Sequence, residues 1–199
     1  MTGAGRRLCQ SAPVPGFELP VTDDVVLRLA EVRLAERYHA MTERNRERLA
    51  PWERWAETPS PLEATRSWLE SRMLAFAQGR QLPTVIVRGG ELVGSCAAEI
   101  DGYSRSASLG YWVDAAGEGR GLVTASARAL VEHLFAEYPV DRVELRTTAD
   151  NLRSRAVARR LGCTLDGTLR KASMRGTTRV DQCVFTLLRE DLSAPRPGA

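Results

Sequence analysis

Three glycines fall within Ala116 to Ser126 (A-G-E-G-R-G-L-V-T-A-S), between a strand-like run and a long stretch with a helical apolar stripe. Gly117, Gly119 and Gly121 would let backbone N–H groups turn toward a ligand and let that ligand come close. The helix start that follows adds donors without intrahelical partners and the positive end of the helix dipole. Such a turn suits a phosphate. A P-loop would end in G-K-[ST], and the run here reads G-R-G-L. A dinucleotide fingerprint, G-x-G-x-x-G, fails from either start: Leu122 or Thr124 stands where the last glycine is needed. Two readings remain, a shorter pyrophosphate clamp or a turn whose glycines serve geometry alone.

The elements that would hold this turn follow from periodicity. Val25 to Ala30 reads as a strand, and Glu31 to Leu49 as a helix with Leu34, Tyr38 and Met41 on one face, ended by Pro51. Trp52 and Trp55 follow in a loop. Ser60-Pro61 opens a second helix, serine as cap and proline at the first helical position, and Gly79 closes it. Pro83 to Arg88 and Glu91 to Ile100, joined by Gly89-Gly90, predict a hairpin. Ala107 to Val113 is a central strand, and Leu122 to Tyr138 a long helix. Arg142 to Thr148 is a strand, and Asn151 to Leu161 a helix stopped by Gly162. Cys163 to Arg170 and Val180 to Arg189 are closing strands around a turn at Gly176. The order βααβββαβαββ demands crossovers, hence parallel pairing in part of the sheet, while the hairpin makes another part antiparallel. The expectation is an α/β (α+β mixed) domain: a mixed sheet of about seven strands flanked by about four helices. It would span residues 16–192, with a mobile lead-in at 1–15 and a disordered tail at 193–199.

Composition narrows the function. The 199 residues carry 28 Lys+Arg and 25 Asp+Glu, a net charge of +3, too small for the basic stripe of a nucleic-acid binder. Four cysteines (Cys9, Cys96, Cys163, Cys183) without a C-x-x-C pair, and two histidines, His39 and His133, suggest no metal site and no disulfide framework. No run is long enough for a membrane span, and the N-terminus lacks the apolar core of a secretory signal.

Three ordered motifs together resemble the GNAT superfamily of N-acetyltransferases, and within it the RimJ/RimL ribosomal-protein branch. The pyrophosphate motif R/Q-x-x-G-x-G/A falls on Glu118-Gly119-Arg120-Gly121-Leu122-Val123, with Glu118 in the place of the arginine or glutamine. Val123-Thr124 is similar to the RimJ/RimL form. Leu109-Gly110-Tyr111-Trp112-Val113 matches the family's G-Y-W strand, and Asp150 to Gly162 matches N-x-x-S-x-x-V-x-x-x-x-G. The likeness runs from Val25 to about Leu192. It implies a GNAT fold with a partly splayed sheet and acetyl-coenzyme A as co-substrate. It also implies that Trp112, Val113 and Glu118 to Thr124 bind coenzyme A, with Asn151 and Ser154 along the pantetheine arm. Arg153, Arg155, Arg159 and Arg160 would touch the adenosine phosphates or form a solvated helix face. A cytoplasmic enzyme, a protein N-terminus as acceptor and a possible homodimer are implied as well, with no membrane and no direct nucleic-acid partner.

Acetyl transfer needs a neutral amine in line with the thioester, a stabilised oxyanion and a leaving thiolate. The resemblance assigns the oxyanion to the N–H of Val113. Many family members place a tyrosine acid where Ala158 stands, so Ser154 is the expected acid. Glu99, at a strand end, is the candidate base, ahead of Asp166 and Asp181. Trp52, Trp55, Tyr111 and Arg48 are candidates for the acceptor wall. The acceptor stays open at this point: a protein α-amino group, a small amine such as a polyamine, aminoglycoside or amino acid, or none at all in a non-catalytic acyl-coenzyme A-binding module.

Overall fold

The computed structural model describes residues 17–192, so the expected lead-in and tail, with Cys9, lie outside the described residues. The chain builds strands β1 (Glu18–Thr22) and β2 (Val25–Leu29), helices α1 (Ala35–Leu49) and α2 (Leu62–Ala77), then the short β3 (Gln81–Leu82). Next come β4 (Thr84–Arg88), β5 (Glu91–Asp101), β6 (Ser106–Val113), α3 (Leu122–Glu137), β7 (Arg142–Thr148), α4 (Leu152–Leu161), β8 (Thr164–Arg175) and β9 (Thr178–Leu188). The expected seven strands become nine. β1 is too short and too interrupted by Pro20 to be read from pattern; it pairs antiparallel with β2, and its Leu19 and Val21 pack on the core. β3 is two residues against β5. The expected cap at α2 also moves: Pro61 takes the N-cap position in an extended conformation and Ser60 makes no cap.

The sheet order is β1-β2-β4-β5-β6-β7-β9-β8, and β6–β7 is its one parallel pair among the described residues. That pairing is short. It runs from Ser106↔Arg142 to Ser108↔Glu144 and then stops, although both strands continue. Beyond Ser108 the two strands diverge, and the sheet opens in its middle.

Strand alternation sends side chains to two cores. Ile86, Cys96, Ala98, Ala107 and Leu109 pack beneath α3 and α4, with Leu130, Leu134 and Phe185 fully buried among them. Val85, Val87, Leu92 and Trp112 face the other way, against Tyr38 and Met41 of α1 and Leu69 of α2. Gly94 in β5 is required by contact: a Cβ there would lie 2.5 Å from the Trp112 carbonyl oxygen. Cys96 and Cys163 are buried, and burial pushes their thiols up to about 12 and about 11, so both are inert apolar filler rather than nucleophiles. No helix among the described residues is long and apolar enough to cross a membrane.

Candidate active site

The gap between β6 and β7 is the floor of a cleft of about 1030 Å³. Its walls come from the end of α1, the β6 strand, the turn before α3, the start of α4, and β7 and β9. One end is made of main chain. Gly121 sits at the N-cap of α3 with φ 73° and ψ 0°, and Gly119 also has φ 73°. A side chain at either position would be strained, and the space beside both is open. The N–H groups of Gly119, Arg120, Gly121, Leu122, Val123 and Thr124 have no acceptor in the protein; the first helical bond is Ala125 N–H to the Gly121 carbonyl. Buried or cleft-facing donors of this kind need a partner. Six consecutive free donors at a helix N-terminus fit a diphosphate.

Glu118 stands where the motif carries a cation, and the structure explains how it is tolerated. Its carboxylate is paired with Arg48 from α1 and with Arg153 from α4, the latter at 2.7 Å. The two arginines offset its charge and lace the turn to both neighbouring helices. Arg48 also donates to the Val113 carbonyl and to Asn45 Oδ1. Buried Asn45 in turn accepts from the Ala115 N–H at 3.1 Å. Arg48 lines the cleft as expected, but its guanidinium is committed to holding the end of β6. Arg120 contributes its backbone N–H to the turn, and its side chain is not part of the cleft wall.

The Asp114 N–H donates across to the Val93 carbonyl at 2.7 Å, on the β5 side. Alternation then turns the N–H of Val113 toward the open gap, away from β5. This N–H faces the middle of the cleft. Asn151 caps α4, its Oδ1 accepting from the Ser154 N–H at 3.1 Å. Ser154 Oγ lies 3.0 Å from Tyr111 Oη, and the two hydroxyls join β6 to α4 at the cleft floor. Burial pushes the Tyr111 phenol up to about 12, so it stays a proton carrier at neutral pH.

The far end is made of side chains. Trp52 lines it, with the Arg175 guanidinium 4.9 Å above its ring. Arg175 comes from the end of β8, donates to the Pro51 carbonyl and forks onto Asp150 at 2.7 and 2.8 Å. That pair holds the Asp150 carboxyl well below the usual range. The Gly176 N–H donates to Glu57. The β8–β9 tip is thereby strapped to the loop after α1. Nothing in the sequence announced this strap, since its partners have no local pattern.

Two further expectations are corrected. Glu99 does not reach the cleft. It bonds Gln81 at 3.1 Å and Arg72 at 3.4 Å, over a separate shallow hollow near Asp101 and Ser106. Trp55 is not part of the cleft wall either; its ring packs 5.8 Å from that of Trp112, and its Nε1 donates to Glu53 at 3.1 Å. Asp166 is tied to Arg142 and Thr186, and Asp181 accepts from the Lys171 N–H, both outside the cleft wall. The carboxylate that does line this end is Glu53, which the sequence reading passed over. Its one local signal was its place between Trp52 and Trp55.

A profile of the acetyltransferase (GNAT) domain matches residues 24–164. The chain is similar to "Putative ribosomal N-acetyltransferase YdaF" of Bacillus subtilis (strain 168), 28% identical over 177 residues, 88% of this chain and 97% of that protein. It is 27% identical over 119 residues to the ribosomal-protein-serine acetyltransferase of Escherichia coli (strain K12), covering 59% of this chain and 66% of that one. Among solved structures it resembles the RimL ribosomal L7/L12 alpha-N-protein acetyltransferase in complex with coenzyme A, with a TM-score of 0.84 and 25% identity over 86% of this chain and 98% of the other. A family profile over most of the chain, a splayed sheet and six free amides at the N-terminus of α3 agree on one conclusion: this protein belongs to the GNAT family of acetyltransferases, and acetyl-coenzyme A is its co-substrate.

Proposed function

We propose that this enzyme acetylates a protein N-terminal α-amino group. The observation that carries this reading is the charge of the cleft. Two carboxylates line it, Glu53 and Glu118, and Glu118 is already neutralised by Arg48 and Arg153. One unpaired carboxylate suits one ammonium. A polyamine or an aminoglycoside brings several, and would call for an acidic wall that the cleft lacks. The relatives named for ribosomal proteins support the same acceptor class.

In this reading residues 119–124 hold the diphosphate, and Trp112, Val113, Asn151 and Ser154 position the thioester arm. The substrate acetyl-coenzyme A supplies the acetyl group as a thioester. The Val113 N–H donates to the carbonyl oxygen as charge builds there, a contribution typically of ~3–4 kcal/mol for one well-placed donor. Ser154, backed by the Tyr111 hydroxyl, passes a proton to the departing sulfur; a thiol titrates near ~8.5, so weak acid help suffices. The cytoplasm as its place and a homodimer as its assembly go with this reading, and light scattering of the purified chain checks the latter. The decisive assay is release of coenzyme A thiol with acetyl-coenzyme A and short peptides bearing free N-terminal serine or alanine, beside spermidine, an aminoglycoside and free amino acids. Peptides should turn over fastest, and a faster small amine would overturn the acceptor. Ser154→Ala should lower kcat about tenfold or more, with coenzyme A affinity kept.

A further inference from the structure

Glu53 is a carboxylate without a cation in the enzyme's own cleft. Half-buried, it is joined to Trp55 Nε1 at 3.1 Å, and no arginine or lysine forms an ion pair with it among the described residues. Arg54, the next residue, is exposed and makes no ion pair with it, and the charged and titratable groups on the neighbouring elements are engaged elsewhere. From α1, Tyr38 is buried beneath it and Arg48 is bound to Glu118 and Val113. From α2, Arg72 lies over the Trp68 ring and reaches Glu99. From β8, Arg175 is held by Asp150 and Trp52, and in its own turn Glu57 takes the Gly176 N–H. None of these supplies Glu53 with a countercharge.

Aromatic rings frame it. Trp52 lines the same cleft end, Trp55 holds its oxygen, and Trp112 lies 5.8 Å from Trp55 and one residue before Val113. Ring faces attract cations, and a carboxylate among them completes a seat for an ammonium group. Burial raises the Glu53 carboxyl above its ordinary range, which strengthens it as a proton acceptor.

We propose that Glu53 is the general base of this enzyme: it binds the acceptor as an ammonium ion beside Trp52 and removes one proton from it. The inference rests on the α-amino acceptor proposed above. The ammonium nitrogen loses a proton to the Glu53 carboxylate, and its freed lone pair attacks the thioester carbonyl carbon. The C–N bond forms. The C–S bond then breaks, with its electron pair leaving on sulfur. The second nitrogen proton goes to the thiolate through the Ser154 and Tyr111 hydroxyls, and Glu53 releases its proton to solvent. Net products are the acetylated amine, coenzyme A thiol and one proton.

The test is the pH dependence of kcat/KM for Glu53→Gln, read by thiol release with acetyl-coenzyme A and a free-N-terminus serine peptide. An α-amino group titrates near ~8, so above that pH the acceptor arrives already neutral and needs no base. The variant should lose on the order of 100-fold at pH 6.5 and recover to within about tenfold of the parent at pH 9. Glu53→Asp should retain an intermediate rate, and coenzyme A affinity of both variants, measured calorimetrically, should match the parent. A loss that is equal at every pH, or no loss at all, overturns the proposal. If a small amine turns over and the peptides do not, the acceptor assignment fails by itself; the same pH series on that amine, with its own titration point, then decides Glu53.

Discussion

At the α3 end of the cleft, the groups on offer are main-chain N–H donors from one continuous run, residues 119–124, whereas at the other end they are side chains arriving from two separate places, Glu53 and Trp52 after α1 and Ser154 from α4, with Arg175 of β8 lying over the Trp52 ring. The first end depends on backbone conformation, so almost any side chain that leaves the turn intact would serve. Glu118 in place of a cation illustrates this: the motif's charge is lost, yet two arginines repair it from outside. The second end has no such tolerance, because each group there is defined by its own functional atoms. A diphosphate is common to every acetyl-coenzyme A enzyme and can be gripped by backbone. An acceptor differs between enzymes, and its recognition rests on side chains that can change.

That contrast can be broken at either end. The largest effect is expected from Gly121→Asp. Its φ of 73° disfavours any side chain, and a carboxylate would stand against the diphosphate, so coenzyme A affinity should fall by 100-fold or more by calorimetry. Unchanged affinity would mean that the amides of this turn are not the grip. Next, Arg175→Ala should unstrap the β8–β9 tip from Asp150 and Trp52. Acceptor KM should rise about tenfold while coenzyme A affinity stays constant, since a charge-assisted fork and a cation–π contact are lost at one end only. Loss of coenzyme A affinity in this variant would show that the two ends are coupled. The strap should also respond to acid. Asp150 is held below its ordinary range, so its contribution is present above the unfolded carboxylate value near ~4 and is lost as pH falls through the lower folded value. The smallest effect belongs to Asn151→Ala, where loss of the cap on α4 should cost about 1 kcal/mol, or roughly 2–4 °C in Tm for a chain of this size. Unchanged coenzyme A affinity would mean that the Asn151 amide serves the helix alone and not the thioester arm.

Much of the frame was legible beforehand. β7 lies at Arg142–Thr148 as its alternation indicated, and α3 starts at Leu122 and α4 ends at Leu161 before Gly162, whose φ of 92° marks the helix stop. The hairpin turn at Gly89-Gly90 has positive φ at both glycines. β1 escaped because five residues with a proline carry no usable period, and only β2 makes them a strand.

The sequence by itself determined the order of the four helices and of seven of the nine strands, the glycine turn ahead of α3, the Asn151 cap and the family likeness. All of these are encoded by residues within a few positions of one another, where φ preference and apolar spacing act directly. Only the tertiary structure decided which carboxylate lines the cleft. The sequence pointed to Glu99 and not to Glu53, yet Glu99 is drawn to Arg72 and Gln81 and Glu53 is left beside the open seam between β6 and β7. Arg175 meets the Pro51 carbonyl across 124 positions of chain. Convergence of that kind depends on how the sheet twists and splays and on which cations are already spent, and no local pattern carries it.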